Sequence, residues 1–147
     1  MTLTQQISED LNQSMKAQDA DKTRVLRSIK AALHNAVIEN KEELKPDQEI
    51  QILQREAKKR REAIELYEKS GRQELVDSET KELKTIDSYL PEKISAEELG
   101  KIVDEAIAQT GAKSPADMGK VMGVVMGKTK GQADGSQVAE MVKNRLS

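Results

Sequence analysis

The chain has no cysteine, no phenylalanine and no tryptophan, and only two tyrosines in 147 residues. Without cysteine there is no disulfide, no thiolate metal site and no thiol nucleophile, which agrees with a reducing compartment. So few aromatics limit the thickness of any core and remove the platforms on which unpaired bases stack. No apolar run approaches the ~20 residues that a membrane span needs. The opening MTLTQQISEDLNQ is polar and acidic and does not read as a secretory signal. A cytoplasmic protein with no membrane partner is expected.

What is abundant is Ala, Leu, Glu, Lys, Gln and Met, all good helix formers. The expected class is all-α. A formal charge of −2 is close to neutral, so bulk electrostatics neither demands nor excludes a nucleic-acid partner, and only local patches can decide.

Apolar residues recur at helical spacing in Leu3, Ile7, Leu11 and Met15, then in Val25, Leu26, Ile29, Ala32, Leu33, Ala36 and Val37. The break between them, Gln18 to Asp21, predicts a tight helical hairpin. After a charged connector from Asn40 to Pro46, a long helix should run from about Asp47 to Ser70, with Gly71 taking the left-handed conformation behind it. A fourth helix is expected from about Arg72 to Tyr89. Pro91 stops it, since proline cannot donate to the ladder and biases Leu90 away from helical angles.

We therefore expect an N-terminal helical bundle of long helices over residues 1–92 and a small three-helix tail domain over 93–147. In the tail, Ser95 with Glu98 forms a capping box for a helix ending at Gly111, and Ser114 with Pro115 opens the next. That helix carries Met118, Val121, Met122, Val125 and Met126. It should break in the run from Gly127 to Gly135 before a last helix with Val138, Met141, Val142 and Leu146.

Gly127-Lys128-Thr129 invites comparison with a phosphate-binding P-loop, but that motif requires a glycine at position 122, which is methionine, and a preceding strand. Nucleotide hydrolysis is not expected. Glycines at 119, 123, 127, 131 and 135 stand every fourth residue, and each one inside a helix costs roughly 1 kcal/mol against alanine. Such a stripe predicts close approach, either of a neighbouring helix or of an RNA backbone drawn in by Lys120, Lys128 and Lys130 and by free loop amides.

A second phosphate-contact candidate is Arg24, Arg27, Lys30, His34 and Lys41, which fall opposite the apolar stripe of their helix with no acid on that arc. Arg60 instead falls in line with Leu53, Ala57 and Ile64, so its guanidinium either snorkels from the seam or meets an acid within it, for which Glu79 on the following helix is the candidate. His34 is the only histidine, and no carboxylate motif accompanies it. No catalytic residue, metal or cofactor is assigned.

The run from Asp117 to Gly123, followed by Met126 and by Lys130-Gly131-Gln132-Ala133-Asp134-Gly135, resembles the tail domain that closes the B subunit of tRNA-dependent amidotransferases. Leu26-Arg27-Ser28-Ile29-Lys30-Ala31-Ala32-Leu33, Gly71-Arg72 with Glu79, and Tyr89-Leu90-Pro91 extend the resemblance over essentially the whole chain, to the stand-alone members of the GatB/YqeY family. The resemblance implies two helical domains and a link to tRNA. Gln132 departs from it, standing where an arginine is common in the tail loop.

The amidotransferase's kinase-like catalytic domain has no counterpart in this sequence. Glutamine-dependent carbon–nitrogen ligase activity would therefore be inherited from the family name alone, and no enzyme is expected. The expected function is an accessory tRNA-binding module contacting RNA through Lys120, Gly127, Lys128, Thr129, Lys130 and Gly131, with Arg24, Arg27 and Lys30 as a second patch. An aminoacyl-tRNA pathway protein is a further possible partner, and DNA is not expected. The alternative is a protein-interaction adaptor whose glycine face and Met118, Met122 and Met126 accept a partner helix.

Overall fold

The computed structural model describes residues 1–130 and 132–147. Its regular elements are all helical, and they fall into two compact units, Met1–Leu90 and Pro91–Ser147.

In the first unit, α1 (Leu3–Lys16) opens with a full capping box. The Thr2 hydroxyl accepts from the Gln5 amide, and the Gln5 side chain accepts from the Thr2 amide. The turn to α2 (Ala20–Asn40) places Gln18 at φ +57°, and Asp19 caps α2 by accepting from the Lys22 amide. α3 (Pro46–Lys69) begins with proline at its first position, where the missing amide donor is not needed. Gly71 at φ +72° then turns the chain into α4 (Gln73–Asp87).

The core of this unit is drawn from all four helices: Ile7 and Leu11, then Val25, Leu26, Ile29 and Leu33, then Leu53 and Ala57, then Ile86. Each fully buried Ile, Leu or Val contributes ~1.5–3 kcal/mol. Most polar groups inside the seams are bonded, the buried Oδ1 of Asp87 at the end of α4 being an exception. The buried hydroxyls of Ser14 and Thr23 meet at 2.9 Å across the α1–α2 hairpin. The buried Glu49 carboxylate, in the first turn of α3, accepts from both the amide and the hydroxyl of Thr4, at 2.7 and 2.6 Å. It thus satisfies one of the orphan donors at the start of α1 and sits at the positive end of that helix dipole.

Arg60 lies in the seam as its spacing predicts, but its ion-pair partner is not Glu79. The guanidinium pairs with Glu56, one turn back on its own helix, and also donates to the Ser28 hydroxyl of α2. The i, i+4 geometry delivers Glu56 without any requirement on how α4 is placed.

In the second unit, α5 (Ala96–Thr110) is capped by Ser95, which accepts from the Glu98 amide, and ends at Gly111 with φ +69°. The reciprocal bond from Glu98 does not form, so the expected box is a simple cap. A 3₁₀ turn, Pro115–Asp117, leads into α6 (Met118–Thr129), and α7 (Gly135–Leu146) closes the unit, with Asp134 accepting from the Ser136 amide. Ser114 caps nothing; the local bond is the Asp117 carboxylate accepting from the Lys113 amide. Leu99, Val103 and Ala106 of α5, Val121 and Val125 of α6, and Val138, Val142 and Leu146 of α7 form the core, together with Ala133. Ile94 donates to the Gln132 carbonyl at 2.8 Å, tying the strand of chain before α5 to the α6–α7 connection. Among the described residues no helix is long and apolar enough to cross a membrane.

Candidate nucleic-acid interface

The residues of α6 divide by period. Val121, Val125 and Thr129 are buried, and at ~100° per residue Gly119, Gly123 and Gly127 fall on the opposite side of the helix. All three glycines are exposed, and a Cβ built on any of them meets nothing within 4 Å. The expectation that a neighbouring helix packs on this stripe is therefore corrected: α5 and α7 contact α6, and among the described residues neither closes on the glycines. Glycine inside the helix costs roughly 1 kcal/mol against alanine, and among the described residues nothing packs within 4 Å of where a Cβ would stand on these three in return.

Lys120, Lys128 and Lys130 are exposed, and α6 contains no acidic residue. The expected break at Gly127 comes later, at Lys130, whose backbone is left-handed at φ +31°. Gly127, Lys128 and Thr129 are helical, so their amides are committed to the helix ladder rather than free for a phosphate. Thr129 does not present a hydroxyl outward. It is 0% exposed, and its Oγ1 donates to the Val125 carbonyl at 3.0 Å. Gly131 lies outside the described residues. What the tail offers a polyanion is thus an open glycine face bordered by lysine ammonium groups.

The α2 patch is smaller than its spacing suggests. Arg24, Arg27, Lys30 and His34 are all exposed. Yet Arg24 pairs with Asp21 at 3.2 Å and approaches Glu82 of α4 at 3.7 Å, so acids do interrupt that arc. Arg27 reaches across to the Met15 sulfur at 3.4 Å, and Lys41 caps the helix in a left-handed conformation. Arg27, Lys30 and His34 remain as its outward part.

Beside Arg24, the half-buried Glu79 hydrogen-bonds Glu82. Burial first, and then the charge of Glu82, raises the Glu79 carboxyl above the ordinary range against the pull of Arg60 and Arg24. Tyr89 donates to the Asp10 carboxylate, and burial together with that bond pushes its phenol above its usual range. Spacing alone pointed to neither pair, nor to Glu49 on Thr4, because each joins residues on different helices or takes its character from burial. No group of three or more histidine, aspartate and glutamate side chains is placed to hold a metal ion among the described residues.

No curated protein compared matches the chain. The model of the Yqey-like protein family, in contrast, matches residues 4–146, spanning both units and every helix from α1 to α7 but for its first residue. On that match the chain belongs to the Yqey-like protein family.

Proposed function

We propose that this protein is an accessory tRNA-binding module with no catalytic centre of its own. The observation that carries the reading is the outer face of α6: three glycines with open space above them, opposite the core, bordered by Lys120 and Lys128 on a helix without acids. Glycines let a partner's backbone come close, and ammonium groups favour one that is negatively charged. Without Phe or Trp and with only two tyrosines, base stacking has little to work with, so recognition rests on backbone charge and shape. The resemblance of the tail to that of the tRNA-dependent amidotransferases supplies tRNA as the RNA to test. Any carbon–nitrogen ligase chemistry would have to come from another chain.

The test is a titration of fluorescent bulk tRNA with the full chain at low and moderate salt, beside a Lys128→Ala/Lys130→Ala variant. Saturable binding that weakens with salt is expected. The double variant should lower the slope of log affinity against log salt by up to ~2, since each phosphate contact contributes ~0.9. No binding at tens of micromolar, or binding indifferent to both changes, would sink the proposal. One observation favours an adaptor instead: half-buried Met118, Met122 and Met126 lie along one flank of the glycines and could adapt to a partner helix. That reading requires binding that survives high salt.

A further inference from the structure

The distal part of the α3–α4 hairpin, residues 62–79, differs in character from the rest of its unit. Its apolar residues Ile64, Leu66, Tyr67 and Leu75 lie outside the hydrophobic core, which takes Leu53 and Ala57 from α3 and Ile86 from α4, while Val76 is buried apart from that core. Leu66 and Leu75 are 66% and 39% exposed. They stand five and four residues from Gly71 on the two antiparallel helices, which at 1.5 Å per residue puts them at about the same level near the tip.

The charge of this segment is one-sided. Six acids, Glu62, Glu65, Glu68, Glu74, Asp77 and Glu79, stand against Lys69 and Arg72, a net charge of −4 on a chain whose total is −2. The hairpin tip therefore carries more than the whole net charge of the chain, and the remainder is positive. An RNA backbone is repelled here. Exposed leucines on a segment that also exposes Glu65, Glu68, Glu74 and Asp77 match the opposite arrangement, apolar side chains accompanied by lysine and arginine.

We propose that the tip of the α3–α4 hairpin docks a protein partner presenting a basic-rimmed apolar surface. Leu66 and Leu75 are the anchors, and the carboxylates orient the partner. This surface is separate from the α6 face and does not depend on the tRNA reading.

The probe is a synthetic 14-residue helix with leucines on one face and lysines on the other, beside a counterpart of equal charge with serine for leucine. Binding to the full chain is followed by calorimetry, and self-association by sedimentation. The expected result is micromolar binding of the leucine peptide, at least tenfold weaker binding of the serine peptide, and a tenfold loss in Leu66→Ser/Leu75→Ser. Both leucines are exposed, so the variant should keep the wild-type helical signal. If it does not, Glu65→Gln/Glu68→Gln reads the same surface through charge and should weaken binding severalfold. Equal binding of the two peptides, or none, overturns the proposal. So does concentration-dependent self-association abolished by the leucine variant, which would make a second copy of this chain the occupant.

Discussion

Replacing Gly123 with alanine should make the C-terminal unit more stable and its RNA binding weaker. Gly123 stands five residues after Met118 and six before Thr129, the two ends of α6, so it bears the full interior penalty of glycine, ~1 kcal/mol relative to alanine. A Cβ there meets nothing within 4 Å, so no clash offsets the gain. The expected stabilisation is ~1 kcal/mol, and for a unit spanning Pro91–Ser147 this corresponds to a rise of roughly 4–8 °C in its melting temperature. Amide hydrogen exchange read on α5, α6 and α7 isolates this unit from the rest of the chain, and a tRNA titration of the same variant reads the interface. A methyl group on a face that RNA backbone approaches should weaken affinity severalfold. A melting temperature that stays level or falls would refute the open-face geometry. A stabilised variant that binds tRNA as tightly as the parent would refute the use of that face.

Other consequences are confined to the N-terminal unit. Glu49→Ala removes both bonds to Thr4 and the charge at the start of α1, and should cost about 2–3 kcal/mol in denaturant unfolding; a loss under ~0.5 kcal/mol would show the contact to be idle. Tyr89→Phe leaves the half-buried Asp10 carboxylate without its phenol donor and should cost about 1.5 kcal/mol in the same assay, whereas an unchanged midpoint would mean that water replaces the bond. The Glu79 carboxyl is raised in the fold, so the folded chain holds that proton more tightly than the unfolded one, and stability is lost as pH rises through the folded-state value. Glu79→Gln should therefore be more stable than the parent at pH 7, with the difference vanishing below pH ~4, where the side chain is protonated in both states. A variant less stable than the parent at pH 7 would mean that attraction to Arg60 and Arg24 outweighs burial.

Much of the helical plan was legible because its signals are local. Gly71 and Gly111 end helices with left-handed backbone, Ser95 caps its helix through its own side chain, and apolar period assigns Ile7, Leu26, Val121 and Val142 to the interior. The end of α6 was not legible in the same way. Glycine has the weakest helix propensity short of proline, and Gly127 suggested a break. Burial of Val125 and Thr129 against the unit's core carries the helix two residues further, because packing several side chains outweighs ~1 kcal/mol of propensity.

The sequence by itself determined the family, the all-helical class and most helix limits, since these follow from periodicity, capping and backbone preference within a few residues. Tertiary structure decided what each polar side chain does. It turned the glycine stripe of α6 outward and Thr129 inward, set Glu82 against Arg24, gave Arg60 to Glu56 rather than Glu79, and sent Glu49 to the start of α1. Such pairings depend on helix rotation and approach to within an ångström, which are fixed only when the two cores pack and which no local spacing encodes.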